Sequence, residues 1–482
     1  MSISTTIKSI QDIMRQDAGV DGDAQRISQL VWLIFLKMFD AAEDLYAWEE
    51  DYVSPIPEGL RWRSWAADDE GVTGDELMTF VDDTLFPALK ELATRPDIDP
   101  RGLIVGEVFA DTYNYMKSGT LLRQVINKLD EINFGNQQER HLFNDLYEKI
   151  LRDLQSAGNA GEYYTPRAVT QFMVDMVKPQ VGELVLDPAC GTAGFLVCAL
   201  ELMKAQAKDA AELLTVERGI RGVEKKPLPH VLAMTNLFAH GVTVPQIARD
   251  NALTRQPYRG ITDRDRVDVI VTNPPFGGME EPGVESGFPA GFQTKETADL
   301  FLVLLMHLLK DGGRAAIVLP DGSLFGEGVK TRIKERLLTT CNLHTIVRLP
   351  NGVFAPYTGI NTNLLFFTKG QPTTEVWYYE HQLPAGYKNY SKTRPIRIEE
   401  FAVEKAWWHN REENEFAWRV GAAEIAARNY NLDIKNPHKA EVANGDPWAL
   451  LKSYQQQQMH IADLRQTLQN ELAAALETAN GE

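Results

Sequence analysis

Asn273-Pro274-Pro275-Phe276 ends an apolar, β-branched run, Val267 to Thr272, and sets two hydrogen-bond acceptors in one stiff turn. An aromatic amine is a poor nucleophile because its lone pair is delocalised into the ring. The Asn273 side-chain oxygen and the Pro274 carbonyl can hold both hydrogens of such an amine and favour a tetrahedral, electron-rich nitrogen. Proline's fixed φ keeps those acceptors aimed. Phe276 offers a face on which a base can stack.

A second candidate site precedes this turn. Glu183 to Asp187 reads as a short buried strand, followed by Pro188-Ala189-Cys190-Gly191-Thr192-Ala193-Gly194 and a helical run through Met203. Gly191 and Gly194 permit a tight turn and close approach of backbone to ligand. The strand-end acid Asp187 and the lack of a following Lys-Ser or Lys-Thr pair argue against a nucleoside triphosphate. They suit a cationic ligand, such as the amine end of S-adenosylmethionine. The next strand, 219–224, ends in Glu224, placed to accept from two ribose hydroxyls. A third strand end supplies Asp250 and Asn251, with Asp250 placed to accept from an adenine amine. Strand ends of this kind are where open α/β sheets bind ligands.

Asp187-Pro-Ala-Cys-Gly-Thr-Ala-Gly-Phe-Leu196 together with Asn273-Pro-Pro-Phe276 resembles the adenine-N6 DNA methyltransferase pattern, in particular the modification subunit of type I restriction-modification systems. The resemblance extends to Gly161 to Arg167, Gly312 to Pro320, Phe354 to Gly359 and Asn429 to Asp433, and covers most of the chain. It implies an α/β, Rossmann-like S-adenosylmethionine-dependent methyltransferase sheet. It makes Asn273, Pro274, Pro275 and Phe276 the target-base turn, and puts Asp187, Pro188, Ala189, Gly191, Thr192, Gly194, Glu224, Asp250 and Asn251 around the cofactor. Tyr164, Thr165 and Pro166 then lie near the cofactor's amino-acid end. One departure is Ala193, where the family often has glycine; its methyl group fits the turn only with a negative φ. The implied chemistry is direct attack of adenine N6 on the sulfonium methyl, with no covalent enzyme intermediate. Cys190, Cys198 and Cys341 accordingly read as buried fillers rather than nucleophiles.

Composition sets further bounds. At 482 residues and 54.1 kDa the chain should hold two or three domains. Three cysteines without a Cys-x-x-Cys pair, and no leader-like start, suggest a reducing, cytoplasmic setting without a membrane span. Nine scattered histidines give no metal-site spacing, so no metal is expected. The net charge of −18 is unlike a protein that grips DNA alone, because phosphate neutralisation dominates non-specific affinity. Lys225, Lys226, Arg314, Lys330, Arg332 and Lys334 are the candidates for a local basic lining. The simpler expectation is that a second subunit reads the sequence.

Three regions position these motifs. Residues 1–155 read as a helical N-terminal domain: Ile27, Leu30, Val31, Ile34, Phe35, Met38 and Phe39 recur at helical spacing within 24–45, and 121–129 and 141–154 are further helical runs. Trp48 to Trp65 reads as a packed loop. Residues 156–370 alternate strands (184–187, 220–224, 267–271, 314–319, 343–349, 363–368) with helices such as 297–310, the pattern of a mostly parallel catalytic sheet. Gly277 to Lys295, rich in Gly, Glu and Pro, reads either as a mobile loop that orders when a base enters or as disorder without function. Residues 371–482 form a C-terminal region with a charged, aromatic helix around 399–416 and a last helix, 447–480, striped by Ile461, Leu464, Leu468, Leu472, Ala475 and Leu476.

The resemblance implies the partners: duplex DNA with its target adenine flipped out, a specificity subunit against which the last helix packs, a second copy of this chain, and a restriction subunit that can join. A duplex buries adenine N6, so flipping is required. Protein-glutamine N5 methyltransferases, which would use the same Asn-Pro-Pro turn, and RNA adenine N6 methyltransferases stay open as alternatives. So does a catalytically silent DNA-complex assembly subunit. The DNA sequence modified is not written in this chain.

Overall fold

The computed structural model describes residues 3–134, 147, 164–439 and 447–479. Its centre is one nine-stranded sheet in the order β3-β2-β1-β4-β5-β7-β6-β8-β9. The strands are β1 (Val185–Asp187), β2 (Ile220–Glu224), β3 (Gln246–Arg249), β4 (Val267–Thr272), β5 (Leu309–Pro320), β6 (Cys341–Leu349), β7 (Thr362–Lys369), β8 (Glu375–Glu380) and β9 (Ala417–Gly421). β1 to β5 pair in parallel, and β7 runs antiparallel between β5 and β6. This is the mostly parallel α/β sheet expected from the alternation of strands and helices.

Strand order creates the cleft. The chain runs outward through β1, β2 and β3, then returns to place β4 on the other side of β1. Such a reversal opens a crevice beyond the carboxyl ends of the central strands. Register decides what fills it. Asp187 pairs with Gly222, so Glu224 lies two residues further along; Glu224 pairs with Arg249, so Asp250 follows one residue later. Leu186 pairs with Ile270, which puts Asn273 two residues beyond the level of Asp187. At about 3.3 Å per residue, the four side chains rise over roughly 10 Å along one rim.

Each face of the sheet has its own packing. Helices Gly194–Lys204 and Pro227–Ala239 contribute Leu196, Val197, Leu200, Leu232 and Leu237 to one buried cluster. Helix Thr297–Leu308 covers part of the other face and is buried on nearly every side, as its run of apolar residues requires.

Helix Asp23–Tyr46 is the spine of the N-terminal region, with Trp32 edge-on to Phe86 at 5.0 Å. Phe35 and Phe39 reach Phe238 at 5.7 and 6.0 Å, so this helix packs directly on helix Pro227–Ala239 of the sheet's face. Between Trp48 and Trp65 the expected loop contains a short helix, Trp62–Trp65; Trp62 and Trp65 are buried and Trp48 is exposed. The expected 141–154 helix lies outside the described residues, apart from Tyr147.

The sheet continues past residue 370, where the sequence suggested a boundary. β8 pairs in parallel with β6, and β9 closes the edge. Tyr378 stacks on Trp418 at 5.2 Å, which supplies the apolar surface that holds this extension. The helix expected at 399–416 is correspondingly shorter, Ala402–His409, because the chain from Ala417 is taken into β9. Asn429 to Asp433 turns back to the sheet: Arg348 bonds Asp433 at 2.6 Å and the Tyr378 hydroxyl donates to Leu432 at 3.1 Å. Residues 1–434 form one compact unit, and a second begins at Lys435. The latter is dominated by helix Pro447–Ala479, along which Ile461, Leu464 and Leu468 are exposed.

Candidate active site

The turn after β1 is closed by its own side chains. Asp187 Oδ1 accepts from the Ala189 amide at 3.1 Å, and the Cys190 amide donates to the Val223 carbonyl at 3.0 Å. Glu224 holds the turn from the neighbouring strand, accepting from the Gly191 amide at 3.0 Å and the Lys226 amide at 2.7 Å. Gly191 has φ +53°, a conformation that needs no special stabilisation in glycine. Ala193 corrects the sequence reading: its φ is +65°, not negative, in the left-handed region as N-cap of helix Gly194–Lys204. A buried alanine there carries about 1–2 kcal/mol of strain.

A cavity of about 290 Å³ opens over this turn. It brings together Thr165, Asp187, Pro188, Ala189, Gly191, Thr192, Gly194, Glu224, Asp250, Asn251, Asn273 and Pro275. Tyr164, Pro166, Pro274 and Phe276 do not line it. Pro166 caps helix Arg167–Val177, Tyr164 and Pro274 are buried, and Phe276 meets Phe354 edge-on at 5.7 Å.

Two buried oxygens in this cavity lack hydrogen-bond partners, Asp187 Oδ2 and Asn273 Oδ1. Burial pushes the Asp187 carboxyl up to about 7, and nearby Glu224 adds to the shift. The neighbouring Thr272 hydroxyl offsets this only in part, since it stops short of hydrogen-bond geometry. Asn273 is oriented from far away in the chain: its Nδ2 donates to Thr165 Oγ1 at 2.9 Å. That bond leaves the Asn273 oxygen as the free acceptor. An unsatisfied buried polar atom costs about 1–3 kcal/mol, so both oxygens call for a ligand that brings donors or positive charge. Burial also raises the Cys190 thiol well above its ordinary range, keeping it protonated.

The loop after Phe276 contributes residues that sequence reasoning missed. Met279 pairs with Glu296, and the Glu280 amide donates to the Lys295 carbonyl at 2.9 Å, which closes the loop at its base. Glu280 turns into the cavity, where it accepts from Thr297 at 3.0 Å and Asn251 at 3.4 Å and lies 3.6 Å from Lys225. The available signal was Gly277-Gly278: a Cβ on Gly278 would sit 3.2 Å from Thr297 Oγ1.

Most of the proposed basic lining is engaged internally. Arg314 bonds Glu183 at 2.7 Å, Lys330 bonds Asp299 at 2.6 Å and Arg332 donates to the Gly291 carbonyl at 2.7 Å. Lys334 is buried, donates to the Leu324 and Gly326 carbonyls, and is pushed down to about 8 by burial. These cations hold the catalytic unit together; Lys225 and Lys226 are the two at the cavity.

Known proteins decide what this arrangement belongs to. Residues 138–446 match the family model described as N-6 DNA Methylase, and residues 3–129 match the HsdM N-terminal domain. The methylase subunit of type I restriction enzyme EcoEI from Escherichia coli is 61% identical over 486 residues, 99% of either chain. The chain belongs to the N-6 DNA methylase family, among the methylase subunits of type I restriction enzymes. A crystal structure of a type I modification subunit from Vibrio vulnificus YJ016 has a TM-score of 0.82 at 44% identity, covering 92% of this chain and 98% of that one. A subunit from a study of type I complex assembly and conformational transition also scores 0.82, at 36% identity and 98% coverage of both. The family's activity is adenine-specific DNA methylation, so the cavity sits in a DNA methyltransferase. Among the described residues no helix is long and apolar enough to cross a membrane.

Proposed function

We propose that this chain transfers the methyl group of S-adenosylmethionine to N6 of an adenine flipped out of duplex DNA, as the modification subunit beside a specificity subunit that reads the sequence. A second copy of the chain and a restriction subunit complete the proposed assembly. The observation that carries this reading is the unpartnered Asn273 oxygen, held by Thr165 in the same cavity as Asp187 and Glu224.

The donor set fits the cofactor. S-adenosylmethionine supplies a methyl group on a positively charged sulfur, ready for displacement by a nitrogen nucleophile. Asp187 offers its free oxygen to a cationic group; Glu224, already bonded to two amides, keeps lone pairs for ribose hydroxyls. Asp250 and Asn251 line the same cavity and are the proposed polar partners of the adenine edge. At the target turn Asn273 Oδ1 accepts one N6 hydrogen and the Pro274 carbonyl the other. Both bonds strengthen as the nitrogen becomes tetrahedral and positive, which lowers the barrier selectively. Phe276, half-buried against Phe354, gives the extruded base a wall.

The exposed apolar residues of helix Pro447–Ala479 and the overall acidity support a division of labour with a sequence-reading subunit. Asn273→Ala should lower methyl transfer to duplex DNA by roughly 10²–10³-fold, measured with the specificity partner present, while cofactor affinity stays within about twofold. Methylation of a glutamine-containing protein or of RNA, with none on duplex DNA, would replace this reading with one of its neighbours.

A further inference from the structure

Connections on the two sides of β1 are unequal. β1 to β2 and β2 to β3 are bridged by helices, whereas β3 to β4 crosses the sheet with only a short 3-10 turn, Tyr258–Gly260. The face of β1 and β2 that such a crossover helix would cover is left with a second cavity, of about 620 Å³. Helix Pro100–Ala110 of the N-terminal region walls one side through Leu103 and Ile104, and helix Thr297–Leu308 walls another through Leu304 and Leu308. The volume falls in the range of small-molecule sites, about 300–1,000 Å³.

Charge distinguishes this cavity from a packing defect. Arg221, Arg255 and Arg264 all line it, in a chain of net charge −18. No guanidinium group among these three makes a hydrogen bond or ion pair with a described residue. Other arginines of this unit are tied down, as Arg314 is to Glu183 and Arg348 to Asp433. Two acids, Glu107 and Asp265, share the wall with the three cations and leave the cations in excess. Hydrogen bonds from Thr262 and Gln256 hold the Asp265 carboxyl below its ordinary range, so it stays an anion, and burial raises the Glu107 carboxyl. Like charges in excess of their counter-charges repel one another, and an anion between them lessens that repulsion.

We propose that this cavity is a second ligand site, taking a compact aromatic anion of nucleoside-monophosphate size, with its ring on the apolar floor and its anionic group between Arg221, Arg255 and Arg264. The floor is formed by Leu186, Val223, Ile261 and Val267 among others. Pro188 and Ala252 line both this cavity and the cofactor cavity, so the two ligands share a wall.

Titration calorimetry of the full chain with guanosine monophosphate tests the site. One saturable event per chain is expected, at least roughly tenfold weaker for guanosine and for inorganic phosphate alone, because each lacks half of the interaction. The Arg221→Ala/Arg255→Ala pair, two exposed substitutions, should weaken it by roughly tenfold or more. S-adenosylhomocysteine should leave the stoichiometry unchanged. Absence of saturable heat at millimolar nucleotide, equal affinity for guanosine, indifference to the arginine substitutions, or displacement by S-adenosylhomocysteine would each overturn the proposal. So would arginine variants that lose duplex affinity in the assembled complex while binding the nucleotide unchanged, since the cluster would then be a DNA-backbone surface.

Discussion

The turns after β1 and β4 face one cavity but are built on opposite plans. The β1 turn is closed by neighbours: Asp187 bonds an amide two residues on with one oxygen, leaving its other oxygen unpaired, and Glu224, from the adjacent strand, bonds the Gly191 amide. At the β4 turn the Asn273 oxygen is unpaired, and its amide is aimed by Thr165, 108 residues earlier in the chain. A tightly bonded turn makes a preformed seat for a ligand. An acceptor left free and fixed from a distance makes a grip that is satisfied only when the substrate arrives.

The largest predicted effect tests the first plan. Glu224→Ala strips acceptors from two backbone amides, Gly191 and Lys226, and should cost roughly 3 kcal/mol of stability. Cofactor affinity should fall with it, by roughly tenfold or more beyond what unfolding explains. Thermal melting followed by calorimetry on the folded fraction separates the two losses. An unchanged melting temperature would show that Glu224 is not what holds the β1 turn.

A smaller effect tests the second plan. Thr165→Val removes the acceptor that orients Asn273 Nδ2, and should slow single-turnover methylation by roughly tenfold while cofactor affinity moves little. Thr165→Ser keeps the hydroxyl and should restore the rate. Should cofactor affinity take the loss instead, Thr165 belongs to the cofactor's seat and the contrast between the turns weakens.

pH separates the turns as well, because only the β1 side titrates near neutrality. The Asp187 carboxyl is raised by burial to about 7 in the folded chain, against an ordinary 3.8. The folded state therefore holds its proton more tightly than the unfolded chain, and Asp187's contribution to stability declines as pH rises from about 4 to about 7. A cationic ligand needs the carboxylate. Cofactor affinity should thus fall as pH drops below about 7, by up to tenfold per unit, and level off above it. Asp187→Asn should flatten that profile; a slope that survives the substitution assigns it to another group.

Legibility in the sequence followed the same division. Strand ends carrying Asp187, Glu224, Asp250 and Asn273 were readable because short β-branched runs and their terminal acids are local signals. β8 and β9 were not, since joining the sheet depends on β6 lying beside β8 and on Trp418 meeting Tyr378. Pairing of Thr165 with Asn273 and the return of Glu280 into the cavity are likewise products of the finished fold. Lysines and arginines misled for a related reason: composition counts a charge but does not show the carbonyl or carboxylate that occupies it, as with Lys334 and Arg314.

The smallest predicted effect concerns Ala193. Replacing it with glycine relieves about 1–2 kcal/mol of left-handed strain. It also adds unfolded-state freedom worth about 0.5–1 kcal/mol and removes a buried methyl worth about 0.8 kcal/mol. These terms nearly cancel, so Ala193→Gly should leave stability within about 1 kcal/mol of the parent. Ala199, equally buried in the interior of the same helix, has the losses without the relief, and Ala199→Gly should cost about 1.3–1.8 kcal/mol. The difference between the two variants in urea unfolding isolates the strain stored in the β1 turn. Equal losses at both positions would mean that the turn carries none, and that alanine at 193 is as well accommodated as glycine.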